Sequence, residues 1–134
     1  MKNVKITVKS KSTDENLKTV AVGKFAERSG RYYAIYEETE ETGLKGTKTT
    51  IKWNNDSVIV LRSGTLFYRQ ELVVGKTDQS VYKTPYMDIP IETTTKSLRV
   101  SLKDGKHKIQ SEYTMKIGSE EIKKMKLDIV VEED

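Results

Sequence analysis

Apolar side chains recur at every second position along most of this chain, which is the period of a strand, and a helical period is almost nowhere present. In the first segment Val4, Ile6 and Val8 fall on one face, while Lys5, Thr7 and Lys9 fall on the other. A second run, Leu17 to Glu27, carries Val20 and Val22 on one face and Phe25 on the opposite one. Ser29-Gly30 supplies a turn, and Arg31 to Glu38 reads as the next strand. After an acidic connection from Thr39 to Gly46, the segment Thr47 to Trp53 places Thr47, Thr49, Ile51 and Trp53 on one face. Asn54-Asn55-Asp56 is a turn cluster, because Asn and Asp tolerate the left-handed conformation and bond to their own backbone.

Val58 to Arg62, Leu66 to Val74 and Gln79 to Lys83 read as further strands. Met87 to Thr94 is irregular, with Pro85 and Pro90 at hand, and is expected to be an edge strand or a corner. Leu98, Val100 and Leu102 lead into Asp104-Gly105, a type I′ hairpin signal. Ile109 to Ile117 answers it, with Ile109, Tyr113, Met115 and Ile117 facing inward. Glu120 to Lys126 favours helix in its residue types, so a short helical turn competes there with a strand holding Ile122 and Met125. Leu127, Ile129 and Val131 close the chain.

About nine to eleven strands at near-regular spacing predict a β-sandwich or a barrel. Sequential hairpins joined by short turns favour an all-β, closed, antiparallel up-and-down barrel, because closure removes exposed edges. No repeat, linker or low-complexity stretch divides residues 1–134, so a single domain is expected. A barrel of this size is either filled with side chains or holds one small ligand.

Composition narrows the chemistry. The 134 residues make 15.3 kDa, enough for a core without covalent staples. There is no cysteine, which excludes disulfides and thiolate metal sites, and one histidine, which excludes a multi-histidine site. A metal held by carboxylates alone is the one metal site left open, and neither a metal nor a cofactor is expected. The N-terminal MKNVKITVKSKS alternates Lys with Val and Ile and lacks the continuous apolar stretch of a signal peptide. With no apolar run of membrane-spanning length either, a cytoplasmic protein is expected. The net charge of +4 is mild and reads as a solvated surface of mixed sign.

Several segments together resemble a known family. They are Arg31 to Glu38, Thr42-Gly43-Leu44, Gly46-Thr47, Thr49 to Lys52, Val60 to Gly64, Tyr82-Lys83-Thr84-Pro85-Tyr86, Leu98 to Leu102 and Gly105. In these the chain resembles the YwiB-like family of small bacterial β-barrel proteins, along nearly its whole length. It departs from the family pattern after Tyr86, where Met87 stands in place of a common Gly. The resemblance implies a calycin-like (lipocalin-like) barrel of unknown function and supplies no activity; a shared fold would not supply one either.

Candidate chemistry rests on a few residues. The run Glu37-Glu38-Thr39-Glu40-Glu41 crowds carboxylates, which serve in acid–base work or as ligands for a hard cation. It lies where a strand leaves the barrel, and a solvated loop is the plain reading. Glu38 is the exception, since alternation from Ala34 and Tyr36 turns it toward the barrel mouth. Arg62 shares a face with Val58 and Val60, and an interior guanidinium calls for a carboxylate, with Glu38 or Glu71 as structural partner. The functional alternative is an anchor for a ligand's carboxylate or phosphate. Seven tyrosines supply apolar walls with polar tips, although Tyr also packs strands without any ligand. Thr84-Pro85-Tyr86 reads first as a rigid turn. His107, just past a hairpin turn, is expected to be solvent-exposed. Asn55-Asp56-Ser57 matches a glycosylation sequon but reads as a turn.

No nucleophile elbow, phosphate-cradling Gly loop or zinc-protease motif is present, and no residue is singled out as catalytic. The favoured reading is a non-catalytic barrel binding a small molecule, with Tyr36, Glu38, Arg62, Tyr82, Tyr86 and Tyr113 as candidate lining. The alternative is a protein- or nucleic-acid-interaction module using a basic outer strip of Lys2, Lys5, Lys9 and Lys11 with Lys48 and Lys52. It ranks lower because the aromatics fall on apolar faces and the charge is small. Catalysis by interior carboxylate and Tyr residues ranks last. No membrane partner is expected, and the oligomeric state is open.

Overall fold

The computed structural model describes residues 1–134, the side chain of Glu41 excepted. Ten strands follow one another: β1 Lys2–Lys11, β2 Asn16–Arg28, β3 Arg31–Glu37, β4 Thr47–Trp53, β5 Val58–Gly64, β6 Tyr68–Leu72, β7 Thr77–Lys83, β8 Asp88–Lys103, β9 Lys106–Ile117 and β10 Ile122–Glu133. A short 3-10 turn, Glu40–Thr42, interrupts the connection between β3 and β4. All the strands are antiparallel to their neighbours, in the order β6-β5-β4-β3-β2-β1-β10-β9-β8-β7. Two up-and-down meanders are thus joined along β1 and β10, the first and last strands.

The sheet curls until its outer strands, β6 and β7, meet. There the Phe67 and Lys83 backbones exchange two hydrogen bonds, 2.9 and 2.8 Å, at one end of the seam. At the other end the Glu71 N–H donates to the Asp78 carboxylate at 3.1 Å, so a side chain satisfies an edge donor that no strand reaches. Between them the Tyr68 and Tyr82 rings pack 5.4 Å apart. The result is a nearly closed barrel.

Alternation decides what fills it. Val4, Ile6, Ala34, Ile51, Val60, Leu72, Ile109, Leu127, Ile129 and Val131 all point inward and are buried. The end carrying the hairpins Ser29-Gly30, Asn54 to Ser57 and Asp104-Gly105 is plugged by Phe25, Tyr32, Trp53 and His107, whose ring centres lie 4.6 to 6.1 Å apart. Asp104 and Gly105 have φ of 53° and 75°, the pair of positive angles that a type I′ turn demands.

Three expectations are corrected here. His107 is buried rather than exposed: it lies two residues before Ile109 on the inward face of β9 and stacks among the aromatics. Met87 to Thr94 is neither an edge nor a corner, because most of it enters the long strand β8, flanked by β7 and β9. Pro90 is tolerated because pairing with β9 starts one residue later, at Ile91. The helical alternative for Glu120 to Lys126 loses to pairing of β10 with β9, which begins at Ile122 opposite Lys116. Met87 needs no glycine substitute, since the Thr84 hydroxyl accepts the N–H groups of Tyr86 and Met87 and donates to the Met87 carbonyl.

Candidate functional site

The opening into the barrel is set by a lapse in pairing. β2 runs beside β1 from Asn16 to Phe25 but pairs with β3 only from Lys24 to Arg28. At Gly23 the carbonyl oxygen of Ile35 comes so close that a Cβ would sit 2.2 Å from it, so only glycine fits. Beyond Gly23 the two strands part, and the connection after β3 turns away. A cleft of about 320 Å³ opens between them. Val8, Leu17 and Leu44 give it apolar walls, and Tyr36, Glu38 and Arg62 supply its polar groups.

Glu38 is only 7% exposed, turned inward by the alternation that also buries Ala34 and Tyr36. Its backbone N–H donates to the Thr47 carbonyl at 2.9 Å, and its carboxylate accepts the Thr49 hydroxyl at 2.8 Å. Of the rest of the acidic run, Glu37 faces outward and Glu40 pairs with Lys45 at 2.8 Å; the side chain of Glu41 lies outside the described residues. Burial pushes the Tyr36 phenol well above its ordinary pKa; the Glu38 carboxylate adds to this and Arg62 opposes it.

Arg62 sits on β5 between Thr49 and Tyr68 and is half-buried. Among the described residues no carboxylate lies within 4.0 Å of its guanidinium. The ion pair expected with Glu38 or Glu71 is therefore not formed. Glu38 is held by Thr49, and Glu71 lies on the outer face of β6, 3.6 Å from Arg69. Among the described residues the buried Arg62 Nε has no acceptor. Its charge favours ionisation of the Tyr36, Tyr68 and Tyr113 phenols, all three of which burial drives upward, Tyr113 to about 12. Around them Gln70 Nε2 donates to Thr93 Oγ1 at 3.0 Å, so the interior beyond the cleft is itself partly polar.

Of the six candidate lining residues, Tyr36, Glu38 and Arg62 meet in this cleft. Tyr113 is buried deeper and borders a different hollow of about 380 Å³, beside Lys96 and Met125. Tyr82 is half-buried against Tyr68 in a satellite cluster with Leu66 and Ile91. Tyr86 is 94% exposed on the turn between β7 and β8 and lines nothing, because the tight Thr84 to Met87 turn throws its side chain into solvent. Sequence reasoning missed Thr49, although alternation had placed it inward, and it missed the β2 residues Leu17 to Val20. No sequence signal marks where a neighbouring strand stops pairing, apart from Gly23 itself.

The register sets acids against four of the six lysines of the outer basic strip, whereas Lys11 stands opposite Lys126 and Lys9 has Lys18 on its other side. Lys5 stands opposite Glu132, Lys9 opposite Asp128 and Lys48 opposite Glu37, and Lys2 pairs with Glu133 at 3.0 Å. Lys52 lies over the Tyr33 ring, 5.8 Å from its centre. Among the described residues no helix is long and apolar enough to cross a membrane.

These features define a class: a ten-stranded, nearly closed up-and-down β-barrel, plugged by aromatics at one end and split between two strands toward the other. The chain belongs to the family described as a domain of unknown function (DUF1934), whose model matches residues 2–129. It is 27% identical over 119 residues to the uncharacterized beta-barrel protein YwiB of Bacillus subtilis (strain 168), covering 89% of this chain and 82% of that protein. It is similar in structure to the crystal structure of the ywiB protein from Bacillus subtilis, with a TM-score of 0.87 and 26% identity over 99% of this chain and 92% of that one. These relatives are described as uncharacterized, so the family fixes the barrel and assigns it no activity.

Proposed function

We propose that the protein is a non-catalytic binding barrel whose cleft takes a small molecule bearing a carboxylate or phosphate, with Arg62 as its anchor. The observation that carries this reading is the state of Arg62: a guanidinium lining an open cleft, its Nε sequestered, with no carboxylate within 4.0 Å among the described residues. Buried or half-buried charges ordinarily have a partner, and the planar fork of Arg matches carboxylate and phosphate oxygens. The Tyr36 hydroxyl and the apolar walls of Val8, Leu17 and Leu44 supply the mixture of few polar and many apolar contacts that small-molecule sites use. This reading extends the lipocalin-like resemblance and takes the protein to act in the cytoplasm. The acids opposite Lys5, Lys9 and Lys48 weigh against a nucleic-acid surface, which needs uncompensated charge.

Native mass spectrometry on protein gently purified from its source cells tests the proposal and reports oligomeric state in the same spectrum. A reproducible extra mass, released on denaturation and absent from an Arg62→Ala variant that folds normally, is expected. An extra mass that persists in that variant, or a failure of succinate and inorganic phosphate to shift the Arg62 side-chain NMR signal, would overturn the assignment.

A further inference from the structure

We infer that the occupant of the cleft is an extended peptide segment that adds as a strand to the free edge of β2 and sets an acidic group against Arg62; the inference rests on the anion-binding reading and puts a peptide's carboxylate in place of the free small molecule's. From Leu17 to Val22 β2 pairs with β1 on one side and with no strand on the other, because its pairing with β3 begins at Lys24. That leaves a row of main-chain donors and acceptors facing the cleft. Such an edge is a ready template for pairing with another chain unless charges, prolines, bulges or a covering element blunt it. On the outer face of the same stretch Val20 and Val22 are 53% and 65% exposed. Strand addition is an established mode of peptide recognition: main-chain bonds give affinity, and alternate side chains give specificity.

The geometry specifies the peptide. An extended chain advances roughly 3.3 Å per residue, so this edge accommodates about five or six residues. Side chains of an added strand alternate. Those pointing inward meet the wall holding Arg62, and those pointing outward lie beside Val20 and Val22. Among the described lining residues Lys18 and Arg62 outweigh Glu38, which favours an acidic segment. A second copy of β2 fits this edge poorly, since it brings Lys18 of both copies to one seam and carries no acidic residue between Leu17 and Val22 to set against Arg62. The preferred occupant therefore alternates acidic and apolar residues.

The test is an amide NMR titration of the full-length protein with the probe acetyl-Val-Glu-Val-Glu-Val-amide. Two variants of it are used, one N-methylated on the valines and one on the glutamates. An edge strand uses the N–H groups of alternate residues only. The expected result is that the parent peptide shifts the Leu17 to Val22 amides and the Arg62 side-chain signal together. One methylated peptide is weakened at least tenfold, while the other binds within about threefold of the parent. If both methylated peptides bind like the parent, or the peptide only reproduces the effect of succinate at Arg62, strand pairing is overturned and the anion site stands. If neither peptide nor succinate perturbs Arg62, both readings fall. If the Leu17 to Val22 amides broaden with protein concentration alone, a second copy occupies the edge and the peptide assignment is wrong.

Discussion

Replacing Arg62 by Met separates a ligand anchor from a structural tie, because the two roles predict opposite changes in stability. Methionine keeps most of the aliphatic stem that packs beside Thr49 and Tyr68 and removes the guanidinium. If Arg62 were one half of a buried ion pair, its loss would strand the partner charge and cost about 3–5 kcal/mol. Among the described residues it has no such partner: Glu38 is satisfied by Thr49, and Glu71 faces outward toward Arg69. What the substitution removes is a buried Nε without an acceptor, a defect of about 1–3 kcal/mol. Against this stands residual attraction to Glu38 across the solvated cleft, about 0–1 kcal/mol. The free protein is therefore expected to gain about 1 kcal/mol. With a urea m-value of about 2 kcal/mol/M, typical of small domains, the midpoint rises by about 0.5 M. Trp53, the only tryptophan and fully buried in the aromatic plug, reports unfolding by fluorescence. A midpoint that falls by 1 M or more would show that Arg62 holds the barrel together and is not reserved for a ligand.

Gly23→Ala drives a Cβ to within 2.2 Å of the Ile35 carbonyl, a backbone atom that cannot swing aside. Overpacking of this kind costs about 1–3 kcal/mol, read as a lowered urea midpoint, and an unchanged midpoint would mean β3 is free to move away. Burial lowers the pKa of His107 below its ordinary value, with Glu27 opposing, so the unfolded chain binds the proton first as pH falls. Stability should therefore decline as pH drops through 6.5 toward the lower folded value, and His107→Phe should flatten that slope; a variant with the wild-type slope excludes His107 as its source. Burial holds the Tyr36, Tyr68 and Tyr113 phenols neutral above their ordinary range. Stability should then fall as pH rises above 10, with their ionisation coinciding with unfolding in an ultraviolet titration; gradual ionisation of the native protein would show the interior open to water.

Much of the barrel was legible because a strand's period of two reports which face of the chain is apolar. It correctly put Thr47, Thr49, Ile51 and Trp53 inside together, and Glu38 in the mouth. The misreadings have distinct causes. His107 followed the same alternation as Ile109 and Tyr113, but its polarity and nearness to a turn argued for solvent. Glu120 to Lys126 carries helix-favouring residues, and local propensity yielded to pairing with β9. Tyr86 is aromatic and next to a proline, yet the turn that proline imposes is what exposes it. Arg62 was placed on the correct face, while its pairing depended on which face Glu71 presented on the neighbouring strand β6, where it stands opposite Ile59. Alternation within a strand says nothing about which atoms a neighbouring strand brings opposite.

The position of the cleft follows from how the barrel treats its two imperfect seams. Both β6/β7 and the lower half of β2/β3 are places where the continuous ladder fails. The first is sutured: Phe67 and Lys83 exchange backbone bonds, Asp78 caps the Glu71 N–H, and the Tyr68 and Tyr82 rings fill the space between. The second receives none of this. Its edge donors and acceptors stay free, Val20 and Val22 stay exposed beside them, and the group standing behind the opening is an Arg whose buried Nε has no acceptor. A gap that arose only from poor packing would be expected to bury apolar side chains or pair its charges, since each lowers the free energy of the isolated fold. The suture of β6/β7 shows that this same chain closes a gap when stability alone is at stake. On the binding reading proposed above, the open, charged edge of β2 is the part of the molecule that a bound partner would stabilise.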